Sequence, residues 1–135
     1  MRNISLEICL IDDNETFREA VKFFITKNTN WAITYDFSYG AMCFDEIYTM
    51  KFPDIILMDY KMPGIDGIWV TKHFLSRFPF LKVIAVSMQN TSLQFMEELI
   101  ITGFKGFIQK KNLYNQLIPA VEKVYNGGMY FDGVI

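Results

Sequence analysis

Along the chain, short runs of apolar and partly β-branched residues alternate with longer segments in which apolar residues recur every three or four positions. Residues 4–11 form the first run and close on Asp12 and Asp13, as a buried strand does where it meets a polar edge. Asn14 then offers a helix cap, and Phe17, Val21, Phe24 and Ile25 keep helical spacing until the polar stretch 27–30. Aromatic and branched residues over 31–37 predict a strand, and residues 41–50, after Gly40, predict a helix. Ile55, Ile56, Leu57 and Met58 are a continuous apolar run, the pattern of a strand covered on both faces, and it stops at Asp59.

Residues 60–67 hold one proline and two glycines and predict a loop, at whose end Asp66 can cap a helix carrying Val70, Phe74 and Phe78 on one stripe. Pro79 ends that helix. The same patterns predict a strand over 81–86, a helix over 91–102, a short strand over 105–108 and a last helix over 113–126 before Gly127 and Gly128. Pro119 falls inside the last helix, where it costs a hydrogen bond unless the helix starts later or bends. Strands alternating with crossover helices require a parallel sheet covered on both faces. The expected fold class is therefore α/β, a single five-stranded parallel sheet in a three-layer sandwich.

At 135 residues and 51% hydrophobic content, the chain suits one compact domain with a continuous core. The net charge of -2 lacks the basic field that nucleic-acid binding needs, so direct binding of DNA or RNA by this segment is not expected. No apolar run approaches membrane-spanning length, and Asp12 and Asp13 interrupt the start before a signal-peptide core develops. A cytoplasmic location is the expectation, which leaves the N-x-[ST] triplets at Asn3, Asn14 and Asn90 without meaning as glycosylation sites. Cys9 and Cys43 show no C-x-x-C spacing and sit among apolar residues, as buried reduced thiols do.

In an open parallel sheet, ligands gather beyond the carboxyl ends of the strands, and Asp12, Asp13, Asp59, Ser87 and Lys110 each fall just past a predicted strand. Taken singly, each has a plainer reading: a helix cap for an aspartate or for Ser87, a solvated side chain for Lys110 beside Lys111. Their coincidence at one edge favours a site. Crowded carboxylates are costly to keep ionised together unless a divalent cation neutralises them, and an all-oxygen set without histidine or cysteine suits magnesium and not zinc. A cation beside Asp59 also offsets the charge of an incoming phosphoryl group, whose remaining oxygens Lys110 and Ser87 can bind.

These residues resemble the receiver domains of two-component response regulators, over essentially the whole chain. The resemblance rests on the acidic pair Asp12 and Asp13, on Asp59 followed by Met62, Pro63 and Gly67, on Ser87 after the fourth strand and on Lys110 after the fifth. It implies a flavodoxin-like (βα)5 fold with strand order 2-1-3-4-5 and a receiver spanning residues 1–128. It implies that Asp59 is the phosphoacceptor, attacking the phosphohistidine of a sensor histidine kinase, and that Mg2+ is held by Asp12, Asp13, Asp59 and the backbone carbonyl of Lys61. Ser87 and Phe107 resemble the family's switch pair, a hydroxyl that moves toward the phosphoryl group and a ring that turns inward. Phe107 stands where tyrosine is frequent, Met88 where a small residue is usual, and Lys61 and Gln89 flank the pocket. The ending Gly127–Phe131 resembles the close of NarL/LuxR-type receivers, so residues 129–135 are expected to begin a linker to a DNA-binding output domain absent from this chain, with a homodimer forming on phosphorylation.

Two other readings stay open on sequence alone. A haloacid-dehalogenase-like phosphohydrolase also places an aspartyl nucleophile after a strand, but it calls for a second aspartate where Lys61 stands. A receiver-like docking module that is not phosphorylated is the other. His73, the single histidine, and Trp69 one turn before it lie away from the apolar stripe and are read as solvated. Leu93, Phe95, Met96, Leu99, Ile100 and Ile101 give their helix a wider apolar surface than one core-facing stripe needs, which suggests a dimer or output face.

Overall fold

A computed structural model describes residues 5–38, 51–61, 66–88 and 92–132. Its elements, in chain order, are β1 (Glu7–Ile11), α1 (Glu15–Asn28), β2 (Ala32–Phe37), β3 (Ile55–Asp59), α2 (Gly67–Arg77), β4 (Val83–Ser87), α3 (Leu93–Thr102), β5 (Gly106–Gln109), a 3-10 turn (Lys110–Asn112), α4 (Leu113–Tyr125) and β6 (Tyr130–Phe131). The helix expected over 41–50, and with it Cys43, Met62, Pro63 and Gln89, lies outside the described residues.

Among the described residues every strand pairing is parallel, and the sheet order is β2-β1-β3-β4-β5-β6. Five strands thus stand in the expected order 2-1-3-4-5. The sixth was not expected: Tyr130 and Phe131 pair with Gly106 and Phe107 at the outer edge of β5. Two residues are too short a run to show any periodicity in a sequence.

The strands divide the core between two layers because successive side chains point to opposite faces. Cys9, Ile11, Ile56, Met58, Val83, Ala85 and Phe107 face one side, where they pack with Val70 and Phe74 of α2 and Met96 and Leu99 of α3. Ile8, Leu10, Ile55, Leu57, Ile84, Val86 and Ile108 face the other, against Val21 and Ile25 of α1 and Leu117, Val121 and Val124 of α4. β3 and β4 are buried along their whole length, and all but their last residues, Asp59 and Ser87, are apolar.

Two helix starts follow the expected caps, Asn14 and Asp66, and Ser92 supplies a third that was not expected. Asn14 Oδ1 accepts from the Phe17 N–H at 3.0 Å, Asp66 Oδ1 from the Trp69 N–H at 2.9 Å, and Ser92 Oγ from the Phe95 N–H at 3.0 Å. Gly103, at φ 115, closes α3 in the left-handed conformation. Pro119 does not delay the last helix: α4 begins at Leu113 and carries Pro119 inside it, at an exposed position where solvent is at hand for the carbonyl left without a donor. On α3 only Met96 and Leu99 are buried, while Leu93, Ile100 and Ile101 remain exposed.

Gly67 is where α2 meets the end of β3. Its N–H donates to the Tyr60 carbonyl at 2.8 Å, and a Cβ there would lie 2.6 Å from the Asp59 carbonyl oxygen and 3.1 Å from Tyr60 Cα. Those neighbours are backbone and cannot swing aside. Gly67→Ala is expected to push the helix start off the strand end and cost about 1–3 kcal/mol, as overpacking does. Urea unfolding measures this, and an unchanged midpoint would show that the loop yields freely.

Candidate functional site

Strand alternation continues past the strand ends and sorts the polar residues there. On β1, Ile8 and Leu10 face α1 and α4, so Asp12 continues that face; on β3, Ile55 and Leu57 lead in the same way to Asp59. β5 brings Lys110 to the same side. The result is a buried cluster in which Asp12 is 1% exposed and Asp59 5% exposed. Lys110 Nζ lies 2.8 Å from Asp12 Oδ2 and 4.0 Å from Asp59 Oδ2. The closer contact is an ion pair whose angles fall short of a well-aligned hydrogen bond.

Each member is held by its surroundings. The Asp12 N–H donates to the Phe37 carbonyl at 3.0 Å, tying it to the end of β2, and Asp12 Oδ1 accepts from the Asn14 N–H at 2.8 Å. Asp59 Oδ1 accepts from the Lys61 N–H at 3.3 Å. The Lys110 ammonium sits 4.2 Å from the ring centroid of Phe17, a cation–π contact that bounds it on the helix side. Asp13, exposed, completes the cluster: one oxygen from each of Asp12, Asp13 and Asp59 lies within 4.8 Å of the others.

The site opens through a cleft of about 460 Å³ lined by Asp13, Asn14, Asp59, Lys61, Ser87, Met88 and Lys110. All five residues expected from the sequence therefore converge, Asp12 lying beneath the cleft against Lys110. Ser87 is buried at the end of β4. Met88, 79% exposed, stands on the rim. Phe107 is fully buried with its ring edge-on to Phe95 of α3 at 5.4 Å, and Phe95 is edge-on to Tyr60 at 4.7 Å. His73 differs from expectation: it is half-buried, its ring stacked on Trp69 at 5.6 Å.

Burial, followed by the neighbouring Asp12 charge, pushes the Asp59 carboxyl up to about 7, while the Lys110 ammonium pulls it back and Asp13 adds to the rise. The cluster thus carries more negative charge than one lysine offsets. Three carboxylates close together, all oxygen donors and one of them solvent-facing, fit a hard divalent cation such as Mg2+.

Two contributors gave no sequence signal of their role. Arg18 Nη1 donates to the Asp12 carbonyl at 2.6 Å while its Nε pairs with Asp36 at 2.8 Å, and Phe17 lies under the lysine. Phe17 was visible only as a member of an apolar helix stripe, and Arg18 as an ordinary polar position.

Residues 8–122 match the response regulator receiver domain family. The chain is 31% identical over 125 residues to the transcriptional regulatory protein DegU of Brevibacillus brevis, covering 93% of this chain and 52% of DegU. It is 30% identical over 122 residues to the DNA-binding transcriptional activator EvgA of Escherichia coli K12, covering 90% of this chain and 58% of EvgA. It therefore spans about half the length of the curated relatives it matches. In fold it is similar to a two-component response regulator of the LuxR family from Aurantimonas sp. SI85-9A1, with a TM-score of 0.88 and 22% identity over 96% of this chain and 91% of that one. It is also similar to the NarL receiver domain from Mycobacterium tuberculosis, with a TM-score of 0.81 and 24% identity over 91% of this chain and 98% of that one.

A raised carboxyl has a thermodynamic signature. The folded chain holds a proton on Asp59 up to about pH 7, whereas the unfolded chain releases it near pH 4, so stability falls as pH rises between those values and levels off above. Asp59→Asn removes the penalty. Without divalent cations it should stabilise the fold by about 1–3 kcal/mol at pH 8 and by little at pH 4, read from denaturant unfolding at both. Equal effects at the two pH values would refute the buried, charge-strained carboxylate.

Proposed function

The chain belongs to the response-regulator receiver family and shares its fold with NarL and LuxR-type members, and from that premise we propose that it is a phosphorylation-dependent switch with Asp59 as phosphoacceptor. The observation that carries the reading is Asp59 itself, buried at a strand end, short of positive charge and open to a cleft that also exposes a lysine and a hydroxyl. The donor is a sensor histidine kinase, whose phosphoryl group passes from histidine nitrogen to an Asp59 oxygen. Such transfer demands positioning and charge compensation more than covalent assistance.

The residues divide that work. Asp59 supplies the attacking oxygen, its other oxygen steadied by the Lys61 N–H. Lys110 and Ser87 bind the incoming phosphoryl oxygens, the lysine already drawn toward the carboxylates. Asp12, Asp13, Asp59 and the backbone carbonyl of Lys61 would hold Mg2+, which when bound offsets the charge of the cluster and of the arriving group. Ser87 and Phe107 form the switch pair. The ring of Phe107 packs edge-on against Phe95, so a turn of that ring is passed to α3 through an aromatic contact.

The output is transcription, through a DNA-binding domain that residues 129–135 lead toward. Its support is that DegU and EvgA are transcriptional regulators longer than this chain. A homodimer formed on phosphorylation and a cytoplasmic location belong to the same reading. Among the described residues no helix is long and apolar enough to cross a membrane.

Incubation with a small phosphodonor and Mg2+, followed by intact-mass measurement, should give a single phosphoryl adduct that Asp59→Asn abolishes. An adduct surviving that substitution would move the acceptor elsewhere, and none on well-folded wild type under varied donors would sink the switch. Asp13→Asn removes one charge from the solvent-facing side of the cluster and should weaken Mg2+ binding severalfold without unfolding the chain. An unchanged magnesium titration would exclude Asp13 from the metal site.

A further inference from the structure

The segment that follows α4 returns to the turn carrying Lys110. β6 lies beside β5 with Phe131 opposite Phe107, and the Asp132 N–H donates to the Phe107 carbonyl at 2.9 Å. The Asp132 carboxylate, with the residue 7% exposed, points at the next residues of the chain it has just joined. Its Oδ2 accepts from the Gln109 N–H at 3.3 Å and from Asn112 Nδ2 at 2.9 Å. Those two donors bracket Lys110.

Among the described residues the turn is otherwise held by backbone, the Leu113 N–H donating to the Lys110 carbonyl and Gln109 pairing with Ser87, and by the Lys110 ammonium itself. Gln109, at its N-terminal boundary, makes no side-chain cap, and residues 109–113 contain neither proline nor a cap for the helix that follows. Asn112 occupies the N-cap position of α4 and is of a type that usually caps, yet it makes no cap bond and gives its amide to Asp132. A buried carboxylate is costly unless its oxygens are hydrogen-bonded, and charge-assisted bonds are the stronger kind. Asp132 and the turn therefore hold each other in place.

We propose that Asp132 is a positioning residue for Lys110, latching the turn at residues 109–112 so that the ammonium is presented to the carboxylate cluster. The proposal rests on the phosphoryl-binding role of Lys110 given above. It makes residues 130–132 a working part of the site as well as the beginning of the path out of the domain. By linkage, any change in the position of Lys110 on phosphorylation is felt at Asp132, and any pull on the chain beyond Asp132 is felt at Lys110.

The test measures phosphorylation rate from a small phosphodonor with Mg2+ for wild type, Asp132→Leu, Asp132→Asn and Asn112→Ala, with and without Lys110→Ala. Asp132→Leu should slow the reaction about tenfold or more through misplacement of the lysine. Asp132→Asn, which keeps an acceptor oxygen, should restore most of the rate, and Asn112→Ala should fall between. In the Lys110→Ala background none of these should slow the reaction further, because the lysine they position is gone. Amide exchange at Gln109, read without any donor, should accelerate in Asp132→Leu and not in Asp132→Asn.

Wild-type rates in Asp132→Leu, or equal slowing with and without Lys110, would overturn the positioning role while leaving the receiver reading intact. If Asp132→Leu does not fold, Asn112→Ala at the wild-type rate overturns it equally. Wild type that accepts no phosphoryl group would overturn the phosphorylation-switch reading and this role with it.

Discussion

Three carboxylates and one ammonium group share the carboxyl edge of a sheet that is buried on both faces. That crowding is the constraint from which the remainder of the site follows. Asp12 and Asp59 are almost wholly withdrawn from water, and Lys110 lies closer to Asp12 than to Asp59. Burial first, and then the neighbouring Asp12 charge that Lys110 only partly offsets, push the Asp59 carboxyl up to about 7. A group strained in this way answers to any positive charge that arrives, and strongly perturbed carboxyls in clefts are where chemistry concentrates.

The fold exists in a form that imposes this constraint and withstands it. Parallel strands running out together deliver their terminal residues to one edge, and the two-residue alternation sends Asp12 and Asp59 to the face shared by α1 and α4. There Asn14 and the Lys61 backbone supply donors, Phe17 bounds the lysine and Arg18 grips the Asp12 carbonyl. The opposite face carries Phe107 and its contact with Phe95, so charge sits on one side of the sheet and the packed aromatic chain on the other. Ser87, at the end of β4, is in phase with Val83 and Ala85 on that second face and lines the cleft as well.

How much of this was legible in the sequence depends on the range of the interactions. The strands showed themselves because Ile55–Met58 and Val83–Val86, covered on both faces, form unbroken apolar runs, and an aspartate terminating such a run marks a strand end. Helix caps are encoded within three residues, and Asn14 and Asp66 were readable for that reason. The start of the helix after β4 was read at residue 91, whereas α3 begins at Leu93, because Ser92 takes the cap. Asp132 left no trace: its partners lie 20 and 23 positions earlier, β6 is two residues long, and a lone aspartate near a chain's end looks like any solvated one. Contacts between neighbours in sequence leave patterns, and contacts made by the fold do not.

That difference also locates the least local part of the design. Lys110 divides its charge between a near partner, Asp12, and a farther one, Asp59, and is carried on a turn whose two ends, the Gln109 N–H and the Asn112 amide, both bond to Asp132. Adding negative charge at Asp59 strengthens the farther attraction relative to the nearer one, because the competition is set by charge and distance alone. A lysine redrawn toward Asp59 pulls on its turn, and the turn is bonded through Asp132 to the end of β6. The charged cluster and the end of β6 are thereby joined through four side chains, Asp59, Lys110, Asn112 and Asp132.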